Sequence, residues 1–401
     1  MTSIKDPVHG YIDLPPVIRP LLDTLVLQRL RYIRQLGFSY LVYPGANHSR
    51  FEHSLGTMHL ASLMARQIDL EKDERNILET AALLHDIGHG PFSHAIETHS
   101  IEYLRRSHTD ISRLISSPDL RWHLEQAGTD PDEICALVSG THRLASIIHG
   151  DLDVDRMDYL LRDAYYTGVP YGIVDTDRLI RSTGMENNSI CLQERGIQAA
   201  ESLLIARTLM RPAVYYHHVS RIAEKMFQRS LDLHICSDSK TILPQMLMMD
   251  DASCIHTLMN SDEPVAQEIA HQLYYRRLYK RALFVSKDDV HMPFRTGTIS
   301  LKQERDLAID IADMAGVPDK SVLVDIPEFP SDMMMDVRIQ NRYEKTPIEE
   351  VSPLITTLNE TRQHQWRLGV YAPAVHVNAV TKAAKEVLHI RPITRQERLM
   401  Q

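Results

Sequence analysis

Between Val17 and Ile87 the apolar residues recur at steps of three and four, over Val17 to Leu36, then Phe51 to Ile68, then Ile77 to Ile87. That is the period of an amphipathic helix, so the first part of the chain must bury helix faces against one another. Breakers divide the runs: Tyr43-Pro-Gly-Ala-Asn-His-Ser carries turn chemistry, and Gly88, Gly90 and Pro91 stop the helix that contains His85 and Asp86. Two more helical runs follow, Asp153 to Thr167, ended by Gly168 and Pro170, and about Gly196 to Leu233 with a kink expected at Pro212. Beyond about residue 235, helical stretches interleave with β-branched runs such as Ser321-Val-Leu-Val-Asp-Ile and Trp366-Arg-Leu-Gly-Val-Tyr. The expected fold is mostly α: a helical core over residues 1–235 and a smaller C-terminal α+β region over 236–401, with a soft boundary. At roughly 100–200 residues per domain, the length fits two or three units.

Charge narrows the function. Lys+Arg number 44 and Asp+Glu 53, a net charge of −9, which disfavours a broadly basic nucleic-acid surface and leaves room for a local basic pocket. The first twenty residues hold Lys5, Asp6 and Asp13 and no apolar core for export, and no later stretch approaches the ~20 apolar residues of a membrane span. A cytoplasmic protein with no membrane partner is expected. Cys135, Cys191, Cys236 and Cys254 form no CxxC pair, which argues against a disulfide framework or a thiolate zinc site and suggests buried thiols. Met335, in the short methionine run that begins at Met333, reads as core filler. Histidine is the unusual residue: 21 in all, eight of them between 48 and 108.

Those histidines sit in a pattern: Arg50-Phe-Glu-His53, then His85-Asp86-Ile-Gly-His89-Gly-Pro-Phe-Ser-His94, then Glu97, and finally Asp153-Val-Asp155-Arg156-Met-Asp158-Tyr159. A carboxylate at the end of an apolar helix needs a partner, and a metal ion supplies one. Imidazole with carboxylate suits a divalent first-row ion such as Mn, Fe, Ni, Co or Zn, whereas an all-oxygen set would suit Mg or Ca. One further His and one further Asp would complete such a site. An isolated His-Asp doublet is more often a satisfied pair than a ligand pair.

The extended string resembles the HD-domain phosphohydrolase superfamily, and within it the deoxynucleoside triphosphate triphosphohydrolases. The likeness covers roughly residues 4 to 235 and weakly continues to about 285. It rests on Asp6-Pro-Val-His-Gly, Gln28-Arg-Leu-Arg-Tyr-Ile, Pro44-Gly-Ala-Asn-His-Ser-Arg-Phe-Glu-His-Ser-Leu-Gly, and His85 through His94. No sterile alpha motif is expected ahead of the HD core. The resemblance implies that His53, His85, Asp86 and Asp155 ligate the metal, with Mg a candidate on the substrate. It implies His94 with acidic partner Glu97 as the proton-transfer pair, and His89 and His108 as phosphate-side histidines, His108 counted with the catalytic set. Thr109 stands where the family commonly has Glu.

The same resemblance puts Arg50, Arg156 and Arg207 on the phosphates, Tyr159 and Asp163 on the deoxyribose, Tyr215 near the base, and Gln35 with Leu36 against a 2′-hydroxyl, in a helix read as unbroken. Tyr216 departs from the related sequence beside the base. Asp23, Gln28, Arg31, Arg276 and Lys280 match a guanine-nucleotide effector site that assembles the active oligomer, so a GTP effector and a homo-oligomer, dimer or tetramer, are implied; Thr2, Lys5, Gln193 and Ala199 depart from the related effector contacts. Spacing adds independent support. Asp155, Tyr159 and Asp163 fall at i, i+4 and i+8 on one helix face, opposite Val154, Met157 and Leu161, although a solvated acidic face with Asp151 and Asp158 would read the same. His94 and Glu97 stand i, i+3, so the carboxylate can orient the imidazole.

The leading expectation is a metal-dependent hydrolase that converts a deoxynucleoside triphosphate and water into a deoxynucleoside and inorganic triphosphate. One alternative keeps the HD chemistry on a monophosphate, cyclic or ppGpp-like nucleotide. Another is a non-catalytic nucleotide sensor.

Overall fold

The computed structural model describes residues 2–186, 189–290, 299–330, 337–340 and 345–390. The Met333–Met335 run lies outside them. Local chemistry sets the first long helix, Arg50–Gln67: Ser49 and Glu52 form a capping box, with Glu52 Oε2 accepting from the Ser49 N–H at 2.6 Å and Ser49 Oγ accepting from the Glu52 N–H at 3.4 Å. The Lys72–Leu84 helix packs against it. So does Val154–Thr167, which is capped by Asp153, whose side chain accepts from the Arg156 N–H at 2.6 Å, and closed by Gly168 at φ +72°. The two helices meet at Gly56, where a Cβ would lie 1.8 Å from Asp158 Oδ1. Only glycine permits that approach, and it brings Asp158 to His53 one turn away.

Three buried clusters organise the chain. The first joins these three helices to Ile197–Met210 through residues such as Leu55, Met58, Leu83, Met157, Leu160 and Leu203. A second holds Phe38, Phe92 and Ile96 against the His218–Ile235 helix and the helices Ser239–Leu247, Asp251–Met259 and Pro264–Tyr274. The third lies in the C-terminal region, where an antiparallel sheet of Lys280–Val285, Leu368–Ala372 and Leu323–Asp325, in that order, packs on the helices Leu301–Ala315 and Val377–Val387. An N-terminal hairpin pairs Thr2–Asp6 with Gly10–Leu14, and a four-stranded sheet runs in the order Thr183–Glu186, Ser189–Gln193, Arg338–Gln340, Lys345–Pro347. The mostly α core and smaller α+β region agree with the sequence. None of the described helices is long and apolar enough to cross a membrane.

Three expectations need correction. Val17 to Leu36 is not one helix: it forms Arg19–Leu22, Leu25–Arg29 and a 3-10 turn at Leu30–Tyr32, after which Ile33 is extended and Arg34 bridges to Ser49. Its apolar period survives the breaks because Leu21, Leu22, Leu27, Leu30 and Ile33 are all buried in the same cluster. Gln35 and Leu36 therefore sit in a loop, held by the Gln35 N–H on the His48 carbonyl at 3.0 Å. The run from Gly196 ends its first helix at Met210, passes a wide turn containing Pro212, and restarts at His218, a break where a kink was expected. Of the cysteines, Cys191 and Cys254 are buried, Cys135 is half-buried and Cys236 is exposed.

Candidate active site

Three helix ends converge. His53 lies one turn into Arg50–Gln67, His85 and Asp86 close Lys72–Leu84, and Asp155 opens Val154–Thr167. His53 Nε2 is 2.9 Å from Asp155 Oδ1 and 3.8 Å from Asp86 Oδ2; His85 Nε2 is 3.3 Å from Asp86 Oδ1 and 3.7 Å from Asp155 Oδ1. The other ring nitrogens are committed. His53 Nδ1 donates to Asp158 Oδ2 at 2.8 Å and His85 Nδ1 to the Ala82 carbonyl at 2.8 Å, partners that can only accept, so both Nε2 atoms present lone pairs. His85 Nε2 is buried and makes no hydrogen bond.

Lone pairs and carboxylate oxygens facing one another call for a cation. A divalent first-row ion fits two imidazoles and two carboxylates, and His53, His85 and Asp86 by themselves form a group able to hold one. Without an ion, a proton takes that role. Burial would lower the His53 pKa, but hydrogen bonds to Asp155 and Asp158 outweigh it and push it up to about 10. Against the same burial, Arg50 and His85 hold Asp86 well below the carboxylate range, and His53 and His85 do so for Asp155.

Behind the cage stands a buried network that orients it. Arg162 grips Asp158 with two bonds of 2.9 Å and donates to Asp6 Oδ2 at 2.8 Å, while His9 Nε2 lies 2.6 Å from Asp158 Oδ1. Asp158 and Arg162 are fully buried, which rules out the solvated acidic face considered for Asp158. A ligating histidine whose second nitrogen is fixed by a carboxylate has its tautomer and ring plane set.

A second group flanks the first. Glu97 Oε2 receives His94 Nδ1 at 3.1 Å, while its Oε1 pairs with His108 Nδ1 and accepts the His108 N–H at 3.1 Å. The His89 and His108 rings stack at 4.0 Å, and His89 Nε2 is 3.4 Å from Asp86 Oδ1, so His89 links the two groups. Gly88 permits this, since a Cβ there would meet the His108 carbonyl at 2.0 Å. Burial would raise Glu97, but His108 and His94 hold it far below the carboxylate range. The His94 side chain is 75 % exposed, open to an incoming group.

The phosphate and sugar positions divide. Arg50 is buried with its guanidinium on Asp86 at 2.5 Å and Ser93 Oγ at 2.7 Å, so it serves the cage directly. Arg156 donates to the carbonyls of Gly150 and Asp151. Arg207 is half-buried rather than exposed and makes no hydrogen bond or ion pair among the described residues; burial first, then the neighbouring Arg156, lower its pKa. Burial would lower Arg156 as well, but Asp153, Tyr159 and the neighbouring carboxylates outweigh it and its pKa instead goes up; a charged guanidinium beside Arg207 suits an anion. Tyr159 is pushed up to about 12 by burial, and its ring lies 6.0 Å from that of Tyr215. Tyr215 donates to Asp163 Oδ2 at 2.8 Å and His48 Nε2 lies 2.7 Å from Asp163 Oδ1, so both Asp163 oxygens are engaged. Gln35 Oε1 is buried without a hydrogen bond, and Leu36 packs on the first core cluster.

The residues matched to an effector site stand in two places. Arg31 Nε donates to Gln28 Oε1 at 2.9 Å and its guanidinium covers the Phe51 ring at 3.6 Å, with exposed Asp23 closing the preceding helix. Arg276 donates to the Leu41 carbonyl, and Lys280 opens a strand, exposed. No hydrogen bond or ion pair among the described residues joins the two places.

Sequence reasoning missed Asp6, His9, His48, Asp158 and Arg162 as members of the site. Each had a signal: Asp6 and His9 share one of the quoted motifs, His48 another, and Asp158 and Arg162 are spaced i, i+4 on the ligand helix.

Comparison with known proteins adds independent findings. The family model of the HD domain matches residues 50–163, and that of the HD associated region matches residues 174–399. An uncharacterized protein of Methanocaldococcus jannaschii is 35 % identical over 379 residues, 93 % of this chain and 79 % of that one. The deoxynucleoside triphosphate triphosphohydrolase SAMHD1 of Homo sapiens is 30 % identical over 420 residues, which cover 88 % of this chain and 65 % of that relative's length. A crystal structure of a hypothetical protein from Aquifex aeolicus superposes with a TM-score of 0.77 at 28 % identity, covering 95 % of this chain and 99 % of the other.

Proposed function

The chain belongs to the HD-domain phosphohydrolase superfamily, and on that premise we propose that it hydrolyses deoxynucleoside triphosphates to deoxynucleoside and inorganic triphosphate. The observation that carries the reading is the convergence of His53, His85, Asp86 and Asp155 as four acceptors around one point. Bound there, a divalent ion of the Mn, Fe, Ni, Co or Zn kind supplies Lewis-acid polarisation of a phosphate oxygen and of the attacking water.

The chain's own groups do the rest. Arg156 and Arg207 meet the charge of the β and γ phosphates, and Tyr159 with Asp163 receives the deoxyribose. As water attacks the α-phosphorus and the bond to the 5′-oxygen breaks, His94 delivers a proton to that oxygen, with Glu97 steadying the imidazolium. Gln35 and Leu36 disfavour a 2′-hydroxyl. Residues 1–235 carry this chemistry and 236–401 support it. A guanine nucleotide at Asp23, Gln28 and Arg31, reached by Arg276 and Lys280 of a second copy, would activate a homo-oligomer.

The test is chromatography of products from each of the four dNTPs and NTPs, with Mn, Mg, Co or Ni and with or without GTP. Tripolyphosphate from the dNTPs alone is expected. Orthophosphate or pyrophosphate would place the enzyme on another branch of HD chemistry.

A further inference from the structure

The helix that carries His94 and Glu97 does not hold itself. His94–His99 is six residues, too short to persist alone. It starts after two consecutive non-glycine residues in the left-handed region, Phe92 at φ +54° and Ser93 at φ +53°, and its continuation Ser100–Leu104 ends on a third, Arg105 at φ +56°. Such backbone persists only when its surroundings fix it. At the entrance Asp251 Oδ1 accepts the Phe92 N–H at 2.8 Å and Arg50 Nε donates to Ser93 Oγ at 2.7 Å. Along the flank Gln228 Nε2 donates to the Ala95 carbonyl at 3.1 Å.

The exit is held from the C-terminal region. Glu102 Oε2 accepts the Leu301 N–H at 2.9 Å, and its Oε1 receives Arg305 Nη2 at 3.2 Å. Arg305 Nη1 also donates to Tyr103 Oη at 3.2 Å and to Asp232 Oδ2 at 2.7 Å, and the other oxygen of Asp232 lies 3.0 Å from His99 Nε2. One guanidinium thus joins the end of the His94 segment, the His218–Ile235 helix and the Leu301–Ala315 helix.

We propose that Arg305 is a positioning residue for the phosphohydrolase reaction, fixing from the C-terminal region the exit of the short helix that presents His94 and Glu97 to the substrate. The proposal rests on the reading of His94 and Glu97 as the proton-transfer pair. It assigns the HD-associated region a part in turnover beyond stabilising the fold. Displacement of a reacting group by about 1 Å costs on the order of a hundredfold in rate, so loss of the clamp acts on kcat first.

The test compares Arg305→Ala, Arg305→Lys, Glu102→Gln and Arg229→Ala in the full chain. Arg229 pairs with Asp319 at 3.1 Å across the same junction and has no bond to the His94 segment. Hydrogen–deuterium exchange over residues 92–108, bound metal, kcat and KM are measured. For Arg305→Ala, exchange should rise in that segment and kcat should fall about ten- to hundredfold, with KM and metal content within about twofold. Arg305→Lys should recover part of the loss, and Arg229→Ala should leave exchange in that segment and kcat unchanged. Glu102→Gln should repeat the pattern and decides the matter if Arg305→Ala does not fold. Unchanged exchange and kcat, or an equal loss in Arg229→Ala, overturns the proposal. Exchange needs no substrate: if the wild type releases no tripolyphosphate, the reading of function fails, while the exchange data still support the clamp if they change in the segment and refute it if they do not.

Discussion

The proposed metal cage and the proposed proton-transfer group lie side by side and are built in opposite ways. His53, His85, Asp86 and Asp155 stand at the ends of long packed helices, and His53 is fixed at its second nitrogen by Asp158, itself locked by Arg162 and His9. His94 and Glu97 ride on a six-residue helix entered through strained backbone, with the His94 ring largely in solvent. The difference separates two tasks. A cage must be rigid and dry to select and keep an ion, whereas a proton donor must meet a leaving group that arrives with each substrate.

Substitutions should expose that division. Asp86→Ala removes a carboxylate shared by both Nε2 atoms and leaves Arg50 buried without its partner, so bound metal and turnover should both be lost, turnover by at least about a thousandfold; metal analysis and product assay check it. His94→Ala should lower kcat about 10²- to 10⁴-fold with metal content unchanged. If metal leaves with His94, the two groups are one. Asp158→Asn should weaken metal affinity about 10- to 100-fold, read by competition with a chelator, while saturating metal restores most of kcat.

The smallest effect is a pH dependence of the cage without metal. His53 is raised from 6.5 to about 10 in the folded chain, so the stability it contributes is full below about 6.5 and is lost as pH rises toward 10. With metal bound, no proton is held there and that loss disappears. Thermal midpoints followed from pH 6.5 to 10 should fall further with chelator than with saturating metal. Parallel curves would mean that His53 and the metal do not share a site.

Much of this was legible in the residues, and the gaps have physical causes. The long helices follow from apolar period and caps such as Ser49 with Glu52, because helix signals are local. The break before Gln35 was hidden because three short turns bury the same side as one helix would, and periodicity records burial, not continuity. The network of Asp158 and Arg162 was hidden because pairing across 156 residues, from Arg162 to Asp6, leaves no local trace. Gly56 shows the same limit. Its need for a bare backbone comes from a helix that follows about a hundred residues later.

The position of water attack is the decisive point, and hydrolysis in oxygen-18 water measures it directly. The metal-loaded protein should release tripolyphosphate that carries one heavy oxygen and a deoxynucleoside that carries none, because attack at the α-phosphorus cleaves the bond to the 5′-oxygen. Label in the deoxynucleoside, or orthophosphate or pyrophosphate as the released anion, would contradict it.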